Sequence, residues 1–243
     1  MATNALNKTQ RNAASLAGFT FIFALIIVVV ANYGVSFRLS IPGKAEETAR
    51  NIVENEGLWR FNIFCNLLYA TIQLILLSSL YVILKPAGRN LAMIAAFCRL
   101  LVSVMWGVTS LMMLASLRIL GGSSFLNAFE TNQLHAMVRL LLDFSYDAYY
   151  IGLPFWTLSS CIVSYLWFKS RYIPRALAVF GIFSSVWCVF CAFTFIISSD
   201  FQYVVHPTWY DMPIVVFELA LGIWLIFKGL KLSVAKDHSS TSA

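Results

Sequence analysis

The stretch NLAMIAAFCRLLVSVMWGVTS, from Asn90 to Ser110, is long enough to cross a membrane as one helix and holds a single charged residue. A helix rises about 1.5 Å per residue, so about 20 residues span a hydrocarbon core about 30 Å thick. The charged residue is Arg99, near the middle, where a guanidinium costs about 2.5–3.5 kcal/mol on insertion scales. The stretch therefore predicts a membrane helix whose arginine needs a partner at the same depth.

The composition of the whole chain predicts a multi-pass membrane protein. Of 243 residues, 60% are hydrophobic and only 12% are charged, against about 25% charged residues in an average soluble domain. Because so few charges cannot cover a core of this size, lipid must solvate much of the surface. The 17 Lys and Arg residues are scattered singly and form no basic tract, which argues against nucleic acid as a partner.

Six apolar runs approach or exceed spanning length, so the predicted fold class is all-α, a bundle of six transmembrane helices. The runs cover residues 13–37, 58–84, 91–117, 148–168, 176–199 and 212–227. Around them we predict a short N-terminal segment (1–12), a transmembrane domain (13–231) and a disordered tail (232–243).

Two polar segments between the runs also have helical patterns. The loop IPGKAEETARNIVENEG predicts an amphipathic helix near residues 44–56, lying on the outer surface as a lid or collar, with Ala49, Ile52 and Val53 as its apolar face. The fourth membrane helix is predicted to begin well outside the membrane, with Thr131 or Asn132 as its N-cap.

The basic residues at the helix ends predict the orientation in the membrane. If the chain alternates, ten Lys and Arg residues lie at one face and five at the other. The excess marks the first face as cytoplasmic, so both termini are predicted to be cytoplasmic, in the inner or plasma membrane of the cell. The ten are Lys8, Arg11, Lys85, Arg89, Lys169, Arg171, Arg175, Lys228, Lys231 and Lys236, and the five are Arg38, Lys44, Arg50, Arg60 and Arg118.

Counting residues from the basic anchors gives Arg99 a candidate partner. Arg99 lies ten residues after Arg89, and Glu218 lies ten residues before Lys228, so both sit about 15 Å into the membrane. Opposite charges at that depth are much less costly as a pair. Two interpretations remain open: an ion pair that only fixes helix register, or the floor of a polar pocket in which Arg99 binds an anionic group and Glu218 is a proton carrier or counter-ion.

The second membrane helix carries a polar stripe. Asn62, Asn66, Tyr69 and Gln73 recur at spacings of four, three and four residues, in line with Arg60 at the outer end. Such a stripe is unfavourable against lipid, so it either binds a ligand or makes interhelical hydrogen bonds worth about 0.6 kcal/mol each.

Further polar residues recur every four positions from His135 to Asp147. They are typical of a solvated helix face. In the alternative interpretation, Asp147, with Tyr146, Tyr149 and Tyr150, forms the rim of an outward-facing entrance, to which Asp211 from the last helix also belongs.

Metal and cofactor chemistry has little support in the sequence. Cys188 and Cys191 have C-x-x-C spacing, but no third or fourth ligand is nearby. There is no Gly-rich phosphate loop. We therefore predict no metal site and no cofactor.

Four segments, in this order, resemble the bacterial membrane proteins grouped as domain of unknown function 4386. They are IPGKAEETARNIVENEGLWRFNIFCNLL, SLYVILKPAGRNLAMIAAFCRLL, YIGLPFWTLSSCIVSYLWFKSRYIPRALAVFG and FELALGIWLIFKGL, within a similarity from about residue 13 to 231. The resemblance implies a compact multi-pass helical fold and brings no established activity.

The family pattern includes residues matching Arg60, Leu80 to Pro86, Arg99 and Glu218. This chain departs from it at Asn66 and Gln73, where acids are frequent, and near Ser159, where a histidine is frequent. These departures weaken any proton relay built on those groups.

Two classes of function follow. In the first, the second, third, fourth and sixth membrane helices enclose a polar pocket under the amphipathic helix, which binds or moves a small amphiphilic or anionic ligand. In the second, the protein is an enzyme acting on an isoprenoid or lipid, with Glu218 or Asp211 as acid and Phe217, Trp106 and Trp156 stabilising cations. A purely structural ion pair is the third possibility. Membrane lipids are the expected partners, and the sequence does not define an oligomeric state.

Overall fold

The computed structural model describes residues 8–122, 124–198, 205 and 207–231. This part of the chain is helical and contains no strand, and six of its helices are long and apolar enough to cross a membrane, which confirms the predicted all-α bundle. The helices are α1 (Lys8–Leu39), α2 (Ala45–Glu54), α3 (Glu56–Leu84), α4 (Arg89–Leu120), α5 (Thr131–Ser170), α6 (Arg175–Ile197) and α7 (Pro207–Phe227). The predicted tail at 232–243 and the end of the fifth predicted run, residue 199, lie outside the described residues.

Helix α5 is the longest, at 40 residues, so it extends about 60 Å and projects well beyond a bilayer core. Its N-cap is Glu130, one residue before Thr131 and two before Asn132, the two predicted N-caps. The reason is a reciprocal capping box: the Glu130 side chain accepts from the backbone at Gln133, and Gln133 Oε1 accepts from Glu130 N at 3.0 Å. The helix continues through Pro154 to Ser170.

The six long helices form a closed ring. Helix α3 packs on α1 and α4, α5 packs on α4 and α6, and α7 packs on α6 and returns to α1. At the end of the described part of the chain, Lys231 N donates to Tyr172 O (2.7 Å), and near its beginning Gln10 Nε2 donates to Ile83 O (3.5 Å). Both ends of the described chain therefore lie at one end of the ring, which we call the basic end because Lys85, Arg89, Lys169 and Arg175 are also there.

Helix α2 lies across the opposite end of the ring, which we call the capped end, and packs mainly on α5. Its residues Ala49 and Ile52 are buried against the bundle, as predicted. Val53, the third residue of the predicted apolar face, is instead 55% exposed. Thr48 takes the third buried position because it bonds the backbone N and O of Ile41 (3.0 and 3.2 Å). Arg139 Nη1 also donates to Ile41 O (3.2 Å), so Arg139 adds one cation to the five counted at this end.

The basic half of the ring is packed through small residues. A Cβ built on Gly18 would lie 2.9 Å from Gly222 O, so α1 and α7 touch through their backbones. A Cβ on Gly181 would lie 2.5 Å from the Phe217 ring. Around these contacts lies a continuous buried core that includes Ala14, Ala17, Leu80, Ile83, Ala92, Ala95, Leu166, Trp167, Ala178, Phe217 and Leu221.

Candidate functional site

A polar layer crosses the bundle at the depth where the sequence places Arg99. Arg99 is 2% exposed; its Nη1 donates to Gln73 Oε1 at 2.8 Å and its Nη2 to Glu218 Oε1 at 3.2 Å. The guanidinium carbon also lies 5.8 Å from the centroid of the Phe21 ring. The ion pair that depth counting predicts is therefore present, and Gln73 is its third member.

Between this layer and α2 the ring is hollow. Two adjoining cavities, of about 410 Å³ and about 100 Å³, share Trp106, Tyr149 and Asp211 among their lining residues. The smaller cavity descends to Glu218, and the larger one extends towards the capped end. Glu218 thus stands between Arg99 and the open space, with its carboxylate forming part of the floor.

Aromatic rings line much of this space and pack on one another. The centroids of Tyr69 and Trp106 are 4.6 Å apart, those of Trp106 and Tyr149 are 6.1 Å apart, and those of Tyr149 and Tyr150 are 5.6 Å apart. Edge and tilted arrangements at these distances are favourable for aromatic pairs. The rings therefore form a continuous wall from α3 through α4 to α5.

Asp211, on α7, is hydrogen-bonded to this aromatic wall through Tyr149, which is itself bonded to Tyr210. Tyr149 and Tyr210 share a hydrogen bond between their hydroxyl groups, and the Tyr149 hydroxyl lies 3.3 Å from Asp211 Oδ2. Asp211 Oδ1 is buried and has no hydrogen-bond partner among the described residues. Another buried polar atom of the lining, Asn66 Oδ1, is also without a partner in the described part of the chain. Buried polar groups are normally satisfied, so these atoms indicate a site that water or a ligand completes.

Exposed lining residues indicate a lateral opening of the larger cavity between α1 and α7. Among the described lining residues, only four are exposed on the outer surface of the bundle, namely Val29, Tyr33, Phe37 and Met212. The first three lie in or beside the π-helical segment Val30–Ser36 of α1, and such segments are frequent at functional sites. Nearer the basic end the opening is closed, since Gly18 and Gly222 bring the same two helices into contact.

The structure brings together most of the residues predicted for the site. Asn66, Tyr69, Glu218, Tyr150 and Asp211 line the two cavities. Gln73 and Arg99 lie behind Glu218 and line neither of them.

Three predicted residues lie elsewhere. Arg60 is exposed and pairs with Glu56 (2.7 Å), whereas its neighbour Trp59 is buried, so Arg60 lies on the outer side of α3. Asn62 is fully buried and lines neither cavity, but it donates to Ser36 Oγ (2.7 Å), and Ser36 lines the larger cavity; this bond joins α3 to α1. Asp147 is exposed on the face of α5 that turns away from the cavity.

Helix α1 is the wall that the sequence did not predict. It contributes Leu25, Val28 and Asn32 to both cavities. Its long apolar run has no periodic polar stripe that would indicate a cavity-facing side. Asn32, a lone polar residue near the end of the run, is the one feature that could have indicated it. The hydroxyl of Tyr210 was missed because a tyrosine near a predicted interface is usually interpreted as a membrane anchor.

No group of three or more His, Cys, Asp or Glu residues that could hold a metal ion occurs within the described ranges. Comparison with known families gives one result: the model of a domain of unknown function, DUF4386, matches residues 16–229, which is most of the chain. No curated protein and no solved structure shows significant similarity to it.

Proposed function

This multi-pass membrane protein belongs to the DUF4386 family, and from its geometry we propose that it binds a small amphiphilic molecule in the cavity between the ion-pair layer and α2. The observation that carries the proposal is the combination of apolar walls, a polar floor and a sideways opening in one space. An amphiphile matches this arrangement, because its alkyl chain packs on apolar walls and its headgroup binds polar groups.

The size of the space fits such a ligand. Ligand pockets typically enclose about 300–1,000 Å³ and are mostly apolar with a few convergent polar groups. The larger cavity alone, about 410 Å³, falls in this range and is lined by Leu25, Val28, Leu142 and Val215 as well as by the tyrosines. The opening between α1 and α7 faces the region where lipid chains would lie, so a ligand could enter from the membrane itself.

Binding is favoured over the enzyme and structural alternatives. Glu218, one of the two candidate acids, already accepts a hydrogen bond from Arg99, which leaves Asp211 as the acid with an unpartnered oxygen. General acid–base catalysis needs a positioned acid and base around a reacting atom, and one free carboxylate supplies half of that arrangement. A purely structural ion pair would not need the hollow above it.

The ligand test compares two adjacent residues of α7. Val215 lines both cavities, whereas Val216 is exposed on the outer surface and lines neither. In Val215→Trp the indole fills the cavity; in Val216→Trp the same group faces the membrane. We expect native mass spectrometry of protein extracted in copolymer nanodiscs to detect amphiphilic molecules bound to the wild type and to Val216→Trp.

Val215→Trp should lose those molecules while its thermal unfolding remains cooperative. Equal occupancy of the three proteins would contradict binding in this cavity, because filling it would then have no consequence. The absence of any bound molecule from the wild type, both as extracted and after incubation with added single-chain lipids, would reject the proposal as well.

We further propose that the basic end faces the cytoplasm in the inner or plasma membrane, as the positive-inside rule indicates. Asn90 at the basic end and Asn55 at the capped end are both exposed. Asn55→Cys should react with a membrane-impermeant maleimide in intact cells, and Asn90→Cys only after the membrane is opened. The reverse result would invert the topology.

A further inference from the structure

We propose that the cavity selects amphiphiles with a cationic headgroup, held by the Asp211 carboxylate and the aromatic rings around it. This inference rests on the proposed ligand binding and adds the chemical class of the ligand. It replaces the anionic ligand that Arg99 suggests in the sequence.

The charges that face the cavity have one sign. Its described lining contains two carboxylates, Asp211 and Glu218, and no Lys, Arg or His. Glu218 is balanced by Arg99 behind it, at 3.2 Å. Arg99 is enclosed by Gln73, Glu218 and Phe21 and is 2% exposed, so it is not available to an anion in the cavity. The remaining charge is that of Asp211.

Asp211 has no cationic partner among the described residues. Its Oδ2 is within 3.3 Å of the Tyr149 hydroxyl, and its Oδ1 is buried and unpartnered. Burying a carboxylate without a counter-charge is costly. A cation in the cavity would supply that charge, whereas a second anion would add repulsion.

The aromatic wall adds a second attraction for cations. The faces of tyrosine and tryptophan rings carry negative potential and attract ammonium groups that have been removed from water. Tyr69, Trp106, Tyr149 and Tyr150 form a connected series with centroid separations from 4.6 to 6.1 Å, and all four line the cavities. Tyr149 belongs both to this series and to the hydrogen-bonded group at Asp211, so the rings and the carboxylate converge on the same space.

The apolar part of the ligand has a separate route. Leu25, Val28 and Val215 line both cavities, and Val29 and Met212 continue this surface to the opening between α1 and α7. A single alkyl chain can therefore leave the head at Asp211 and extend along the α1 side towards lipid. A diacyl lipid would have to place its second chain outside the cavity.

The test uses three probes with the same alkyl chain: decyltrimethylammonium, its net-neutral isostere decyldimethylamine N-oxide, and decyl sulfate. Dissociation constants are measured by isothermal titration calorimetry in maltoside micelles, with the heats of protein-free micelles subtracted. We expect the wild type to bind the cation on the order of tenfold tighter than the isostere, and decyl sulfate weakest.

Asp211→Asn should remove most of the preference for the cation over the isostere while leaving the affinity for the isostere nearly unchanged. The matched control is Asp147→Asn, because Asp147 is an exposed carboxylate outside both cavities. This control should keep the full preference. If Asp211→Asn fails to fold, the comparison of the three probes on the wild type still tests the preference of the cavity for a cation.

The outcomes separate this inference from the proposed function. Equal binding of the cation and the isostere to the wild type would overturn the charge preference and leave amphiphile binding intact. Tightest binding of decyl sulfate would restore an anion site. If every probe binds the wild type and Val215→Trp equally, both the inference and the proposed function fail.

Discussion

The basic half of the ring and the half beneath α2 use the same six long helices but are packed differently. In the basic half, Gly18 meets Gly222 and Gly181 meets Phe217, and a single core fills the space between the helices. In the capped half, Trp106, Tyr149 and other large rings line a hollow instead. Between the halves lies the layer formed by Arg99, Gln73 and Glu218.

The difference shows how one bundle can be rigid and hollow at once. Small residues let helices approach until their backbones touch, which is the main source of association where lipid and side chains are equally apolar. Large residues on facing helices hold the backbones apart, and here they leave room between them. The packed half thus provides the stable frame, and the capped half has the space and the unpartnered polar atoms that a ligand requires.

The largest effect is expected where the two halves meet. Arg99→Leu leaves Glu218 buried without its counter-charge, so we expect a loss of about 3–5 kcal/mol in the free energy of unfolding. Adding Glu218→Leu should restore most of that loss, since two apolar residues replace a buried pair. Unfolding in mixed micelles with increasing denaturant measures the free energy of unfolding of the single and the double variant.

The control for that variant is Arg60→Leu, which breaks the exposed pair with Glu56. Surface pairs of this kind contribute about 0.2–1 kcal/mol, so this change should be much smaller. If Arg99→Leu were equally mild, the layer would not be the boundary on which the comparison of the halves depends.

A smaller effect is expected from adding one methyl group to each half. In Gly181→Ala the new Cβ would lie 2.5 Å from the buried Phe217 ring, and overpacking of this kind costs about 1–3 kcal/mol. Gly107 lies on α4 in the capped half, and a Cβ there meets no atom within 4 Å. Gly107→Ala should therefore be neutral or slightly stabilising, as alanine favours a helix.

Thermal unfolding of the two glycine variants in the same micelles makes the comparison direct. Equal destabilisation by both would mean that the space beside Gly107 is as closely filled as the space beside Gly181.

The smallest of the three effects concerns the hydroxyl group that holds Asp211. Tyr149→Phe removes the bonds to Tyr210 and Asp211, and we expect a loss of about 0.5–1.5 kcal/mol in the free energy of unfolding. Tyr33→Phe is the control, because the Tyr33 side chain is exposed at the opening. No difference between these two variants would show that the tyrosine pair does not contribute to the stability of the capped half.

The sequence predicted the parts of this fold that depend on length and hydropathy. Six runs of apolar residues gave six helices because a backbone in lipid must satisfy its own hydrogen bonds, and a helix does so locally. The depth of Arg99 and Glu218 followed from the constant rise per residue. The polar stripe of α3 led to Asn66, Tyr69 and Gln73, all of which lie at the cavity or its floor.

The sequence was less informative where the direction of a side chain depends on neighbouring helices. Arg60 lies in the same polar stripe as Asn66 and Gln73 but is exposed, whereas Asp147 is exposed as the solvated-face interpretation of its helix predicts. Periodicity defines one face of a helix without specifying which residues along that face meet an open space. The same limit explains why α1, with no charged residue in its apolar run, was not expected to form a wall.

By itself, the sequence determined that the chain is a six-span helical membrane protein with an arginine and a glutamate at one depth, because spacing along a helix converts directly into distance across a membrane. Only the tertiary structure decided that Arg99 is enclosed, that Glu218 and Asp211 face a cavity, and that the cavity opens between α1 and α7. Those features depend on how closely each pair of helices approaches, and that distance is set by contacts between residues far apart in the chain.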